Sequence, residues 1–231
     1  GGDDATACRV LDHFLGQRDR AVRVWFADSS PGNIRHDVWQ PVDRISAITS
    51  EATEVRIEAH AGKHAVSLWL SAPNAGSLRL RGESRGFFEP GKLVPLSLSA
   101  AAKGATVETE RLVVTIESDP WSVTVKERDG SRYWRLQQGD LAFRFDADGK
   151  IAAIDLRRPL VAGEGIYGLG ERYDALDQRG RVLTLWDLDA WEGCFFTLRN
   201  HAYKPIPLYH STAGYSCFFN SSYRLRADVG N

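Results

Sequence analysis

The chain has 231 residues, 43% hydrophobic and 26% charged, and its 29 basic and 30 acidic residues leave a formal net charge of -1. That balance offers no basic stripe for nucleic acid and no cationic face for an anionic membrane, and no apolar run approaches the ~18 to 20 residues of a membrane-crossing helix. The length allows one large all-β domain or two small ones, each with a core that needs no disulfide staples.

Residues 4–17 place Val10, Leu11, Phe14 and Leu15 on one helical face, with Asp3, Asp4 or Thr6 as the N-cap, and predict a short N-terminal helix. From residue 21 the rhythm is that of strands separated by turns, beginning with residues 22–26 ahead of Asp28-Ser29-Ser30-Pro31-Gly32. Residues 54–60 alternate Val55, Ile57 and Ala59 with charged neighbours, and residues 65–70 and 77–81 continue in that style as half-buried antiparallel strands. Residues 86–103, with Pro90-Gly91, Pro95 and a Ser/Ala run, read as a loop or insertion between two sheets and as a minor boundary.

A hairpin follows, with Leu112, Val114 and Ile116 on one face of its first strand and Trp121, Val123 and Val125 on one face of its second, joined across Ser118-Asp119-Pro120. Asp129-Gly130 then joins residues 121–126 to 132–137, and Asp148-Gly149 joins residues 141–146 to 151–156, each a pair suited to a tight hairpin turn. Short strands at this spacing, with no recurring helix between them, predict an antiparallel β-sandwich over a doubly wound α/β fold. Cys8, Cys194 and Cys217 match neither zinc-ligand nor redox spacing and read as buried thiols with at most one disulfide, so neither metal nor cofactor is expected.

Ten of the 24 aromatic residues fall between Trp186 and Tyr223, which suits either a ring-dense core or a surface facing a sugar or another domain. In the same third, residues 167–180 read Tyr-Gly-Leu-Gly-Glu-Arg-Tyr-Asp-Ala-Leu-Asp-Gln-Arg-Gly. They are followed by Trp186-Asp187-Leu188-Asp189-Ala190, by Tyr203-Lys204-Pro205-Ile206-Pro207-Leu208-Tyr209 and by residues 214–223. These four segments, in this order, resemble the stretch ahead of the catalytic barrel in glycoside hydrolase family 31.

The resemblance is strong over residues 165–230, moderate over 107–156 and thin before that. It implies a galactose-mutarotase-like β-supersandwich occupying residues 1–231 as an N-terminal domain, with a (β/α)8 barrel expected after residue 231. In the family, two aspartates of that barrel carry out retaining hydrolysis of α-glycosides, so this chain is expected to be inactive alone. The implied partners are the barrel of the same parent protein and a carbohydrate substrate, with α-glucosides, α-xylosides and α-galactosides all left open.

A loop of the family's sandwich places an aspartate against hydroxyls of the sugar, and the matching position is Asp189. A carboxylate accepts two charge-assisted hydroxyl bonds there, and Trp186 or Trp191 offers an indole face to the ring. Asp187 stands where the family often has asparagine, and Trp191 where it often has proline or a small residue. The plainer reading of Asp189 is a turn residue. Glu171 and Arg172 read as loop-fixing groups at a sheet end, with the neighbouring glycines allowing close backbone approach.

Two other functions are compatible with the sequence. A free carbohydrate-binding module would use Trp186, Trp191 and nearby tyrosines as a stacking platform, and a mutarotase-type epimerase would draw on His201, His210 and Glu192 for acid/base work. The plainer reading of these histidines is a solvated or strand-end pair. Asn220-Ser221-Ser222 is formally a glycosylation sequon, set in what reads as a buried strand.

Overall fold

A computed structural model describes residues 21–27, 39–82, 91–131, 133–172, 175–187, 204–221 and 223–230, with 21–27 and Tyr133 by backbone alone. The predicted N-terminal helix lies outside the described residues. All regular elements among the described residues are β-strands, as the alternating patterns require, and the paired strands are antiparallel. The chain divides into two compact units, Gly1–Trp39 with Phe143–Asn231, and Gln40–Ala142.

Strand β1 (Ala21–Ala27) belongs to the first of these, and the chain then builds the whole Gln40–Ala142 unit before returning to it. Strands β2 (Gln40–Glu51), β3 (Glu54–Ala61), β4 (His64–Asn74) and β5 (Ser77–Arg81) form an antiparallel meander. Strands β6 (Ser97–Ala101), β7 (Gly104–Glu108), β8 (Leu112–Ser118), β9 (Trp121–Glu127) and β10 (Tyr133–Gln137) form a second sheet in the order β10-β9-β8-β7-β6.

The period-2 pattern sorts the side chains. Val55, Ile57, Ala59 and Ala61 of β3 and Val66, Leu68 and Leu70 of β4 are buried, as are Val114 and Ile116 of β8 and Trp121 of β9. Each large aliphatic among them contributes roughly 1.5–3 kcal/mol by leaving water. The two inner faces meet where Trp121 Nε1 donates to the carbonyl of Val42 at 2.6 Å. The apolar gap left between them is only ≈ 20 Å³, lined by Ile57, Leu68, Trp121 and Leu141 among others.

The predicted turns form. Ser118 pairs with Trp121 across Asp119-Pro120, and Gly130 and Gly149 take φ of 74° and 79° in their Asp-Gly turns. Two strands depart from expectation. Within residues 86–103, read as a loop, β6 pairs with β7; its Ser-Leu-Ser-Ala-Ala run is mostly exposed and weak in β-propensity, so backbone pairing makes the strand. The predicted strands include no counterpart of β2, whose register shifts at Val42/Arg44 and Ile45/Ala47 put the buried Val42 and Ile45 three residues apart and erase the alternation.

The other unit takes over within β11 (Leu141–Phe145) and continues through β12 (Ile151–Pro159), β13 (Ile166–Gly168), β14 (Val182–Leu185), β15 (Leu208–Ser211), β16 (Ser216–Phe218) and β17 (Leu225–Val229). Its main sheet runs β14-β17-β1-β12-β11, and a small sheet runs β13-β15-β16. Ile166, Leu169, Leu183, Tyr209, Leu225 and Val229 belong to one buried cluster in this unit. Because β16 ends at Phe218, Asn220 of the sequon lies beyond the strand and is half-buried, contrary to the buried-strand reading.

Candidate functional site

The motif-rich segment begins where β13 ends. Gly168 and Gly170 have φ of 112° and 97°, and a Cβ on either would lie 2.6 Å from the Leu208 carbonyl oxygen or 2.3 Å from that of Lys204. Only glycine permits this approach. Between them Leu169 sits at φ 64° with its side chain fully buried, so core packing holds a non-glycine residue in left-handed backbone.

Glu171 and Arg172 do fix this loop, through partners elsewhere in the unit. Glu171 lies 3.5 Å from Lys204 Nζ, an exposed pair, while Arg172 donates to the carbonyls of Leu169 at 3.3 Å and Thr184 at 3.4 Å. The loop that follows is anchored too. The Asp177 carboxylate accepts the Ile166 and Arg179 amides, each at 3.0 Å, and the Gln178 amide reaches the Ile166 carbonyl at 2.8 Å.

Of the predicted sugar-contacting residues, Trp186 is described: it follows β14 directly and is 45% exposed, and Asp187 beside it is also exposed. Asp189 and Trp191 lie outside the described residues, as do Glu192 and His201. His210 is exposed on β15, with Nδ1 2.7 Å from Ser216 Oγ.

Six of the seven exposed large hydrophobics among the described residues belong to this unit: Val161, Leu176, Trp186, Ile206, Phe218 and Tyr223. Leu176 is 80% exposed although backbone bonds pin its loop on both sides. On the small sheet, Leu208 pairs in register with Phe218, and Phe218 is 48% exposed. The next pair, Tyr209 with Cys217, points to the opposite, inner face. One face of that sheet is therefore core and the other presents apolar side chains to solvent.

Behind the sheet lies a charged hub centred on Glu164, which with Arg158 and Ser211 lies in none of the four motif segments. Glu164 has a fully buried side chain whose carboxylate receives Arg158 Nη1 at 2.7 and 2.8 Å, the Val161 amide at 2.9 Å, the Tyr215 hydroxyl at 3.0 Å and the Ser211 hydroxyl. The Arg158 guanidinium also lies 4.4 Å from the Tyr215 ring centroid, and Tyr209 meets Tyr215 edge-on at 5.9 Å. Burial alone pushes the Glu164 carboxyl up, but the hydrogen bonds from Arg158, Ser211 and Val161 outweigh it and hold the group below its ordinary value. Burial likewise opposes the charge of Arg158, and the bond to Glu164 with the neighbouring Tyr215 more than offsets this. Burial raises the Cys217 thiol to about 12, and it is a free cysteine, as the odd cysteine count allowed. The hub's partners sit up to 51 residues from Glu164 in sequence, a separation over which side-chain spacing carries no signal.

The family profile described as the glycosyl hydrolase 31 N-terminal galactose mutarotase-like domain matches residues 67–228. The chain is 38% identical over 134 residues to the alpha-xylosidase XylQ of Lactiplantibacillus pentosus, covering 54% of this chain and 17% of that protein. It is 39% identical over 61 residues to an alpha-xylosidase of Emericella nidulans, covering 26% of this chain and 7% of that one. The chain thus spans only a small part of the length of these curated relatives. Among solved structures, the cycloalternan-forming enzyme of Listeria monocytogenes aligns with TM-score 0.65 at 20% identity, over 84% of this chain and 20% of that one. The GH31 dextranase of Flavobacterium johnsoniae aligns with TM-score 0.60 at 16% identity, over 81% and 25%. At such identities these two likenesses establish the all-β sandwich fold alone.

Proposed function

Since the chain belongs to the glycosyl hydrolase 31 N-terminal galactose mutarotase-like domain family, we propose that it is the non-catalytic sandwich of a retaining α-glycosidase, packing on the catalytic barrel and lending a loop around Asp189 to the sugar subsite. The observation that carries this is that Leu176, Trp186, Ile206, Phe218 and Tyr223 of this unit are exposed, Leu176 in a loop held by the Gln178 amide on the Ile166 carbonyl and the Gly180 amide on that of Val229. Apolar groups presented this way lose little entropy when a partner covers them. The nucleophile and the acid/base come from the barrel. The sandwich contributes shape and, through Asp189, acceptors for sugar hydroxyls whose charge-assisted bonds fix the ring.

The test is hydrolysis of p-nitrophenyl α-glycosides by this chain alone and by the chain joined to the barrel of its parent protein. The α-xyloside comes first, because the curated relatives are alpha-xylosidases. Activity is expected only in the longer protein, with much of it lost on Asp189→Ala. Turnover by this chain alone would overturn the reading and return attention to His201, His210 and Glu192.

The exposed indole of Trp186 favours a second reading, a free carbohydrate-binding module. That reading expects xylo- or gluco-oligosaccharide binding by the isolated chain, abolished by Trp186→Ala. Isothermal titration without measurable heat would remove it.

A further inference from the structure

Within the Gln40–Ala142 unit three strands end a sheet, β5, β6 and β10. An end strand leaves backbone donors and acceptors open along its outer side, and charged side chains commonly keep other strands from pairing there. Strand β5 carries Arg79 and Arg81, and β10 carries Arg135. Strand β6 carries no charge, no proline and no bulge: Ser97 to Ala101 pair with Glu108 to Gly104 in unbroken register. Ser97, Ser99, Ala100 and Ala101 are exposed, and Leu98 is half-buried. The stretch open to pairing has definite limits, because Pro95 has no amide hydrogen to donate and the chain turns at Ala102-Lys103 into β7.

We propose that β6 is a self-association edge, on which β6 of a second copy of this chain pairs antiparallel about a two-fold axis at Ser99. That register sets Ser97 opposite Ala101 and Leu98 opposite Ala100, with the two Ser99 residues facing each other, so no like charges meet across the junction. Each copy brings its Lys103 turn to the end of the joined sheet where the other has Glu108, the residue opposite Ser97 on β7. Lys103 is exposed, and Glu108 keeps 36% of its side chain exposed beside Arg128, so opposite charges flank the pairing at both ends. A foreign strand is a poorer match. Strand addition draws its specificity from pockets that take alternate side chains of the incoming strand, and an edge of serine and alanine offers none. Because the contact uses the same edge of both copies, it closes at two chains and leaves no β6 edge to recruit a third. Five residues a side place it among the small, transient interfaces, and the dimer is concentration-dependent.

The test is sedimentation velocity on this chain, with a reductant present to remove cystine-linked dimers, from about 1 µM to about 1 mM, the range that suits an interface of this size. The wild type is expected to pass from monomer to dimer within that range. Ser99→Lys sets two like charges opposite each other at an exposed position, and is expected to weaken dimerisation at least about tenfold. Its thermal midpoint is expected to stay within about 2 °C of the wild type. Ser99→Glu alone is expected to weaken the dimer in the same way. An equimolar mixture of the two variants is expected to recover it, which requires the two positions to face each other. A wild type that stays monomeric to the top of the range overturns the proposal. So does a dimer that survives Ser99→Lys, and loss of that dimer in Phe218→Ser would move the contact to the small sheet. A mixture that stays monomeric after each variant has lost the dimer overturns the two-fold register at Ser99.

Discussion

In the Gln40–Ala142 unit Val55, Ile57, Val114 and Ile116 fill the core, and the buried Asp140 Oδ2 accepts the Gln137 amide three residues away at 2.9 Å. In the unit that holds β12 to β17, Glu164 gathers Arg158, Ser211 and Tyr215 from separate parts of the chain, and large hydrophobics such as Leu176 and Phe218 stay in solvent. The first arrangement is what alternation and tight turns produce unaided. The second keeps a shape by buried polar bonds and leaves apolar surface unused, which is how a region is built when different residues supply its stability and its contact surface.

That contrast can be broken at its strongest point with Glu164→Ala. Removing the carboxylate leaves Arg158 buried and uncompensated, and the unfolding free energy is expected to fall by about 3–5 kcal/mol, read from urea denaturation. A loss below about 1 kcal/mol would mean that the hub is better solvated than its geometry indicates. The same group sets an acid limb. Its folded pKa lies below the ordinary value near 4.5, so its stabilisation is present above that value and is lost as pH falls from there through the lowered folded value. Glu164→Gln is expected to flatten the dependence of the urea midpoint on pH below 4.5 relative to the wild type.

A smaller effect is expected in the other unit. Ile57→Val removes one methylene from a site bordering the existing small gap, costing about 1 kcal/mol with no change in the pH profile. The smallest belongs to the exposed residues: Phe218→Ser and Leu176→Ser should shift stability by no more than about 0.5 kcal/mol in this chain. Thermal unfolding decides it, and a drop of several degrees would show that these side chains serve the fold of their own unit.

Strands that alternate strictly, such as β3 and β8, and turns marked by Asp-Gly were legible because a period of two and a left-handed glycine leave local traces. Strand β2 was not, because bulges moved its buried residues out of step, and β6 was not, because pairing rather than side chains makes it a strand. At the site, the close-approach role of Gly168 and Gly170 and the loop-fixing role of Glu171 and Arg172 were legible, while the identity of their partners was not. Lys204 and Thr184 are brought to them by the packing of β14 and β15, which no spacing encodes. Glu164, with glycines on both sides, carries no local mark of burial; its carboxylate accepts the Ser211 hydroxyl, 47 residues later.

Strand β1 holds the centre of its sheet run, with Ala27 opposite Ala153 on one side and Phe26 opposite Leu225 on the other. During synthesis from the N-terminus this strand leaves the ribosome well before either neighbour, which cannot exist until the entire Gln40–Ala142 unit has been made. Its backbone donors and acceptors therefore wait, solvated and open to wrong pairing, while the Gln40–Ala142 unit is completed in the interval. The middle strand of the run is older than both strands that cover it, so the sheet closes in time around a centre that was present, and unprotected, from the start.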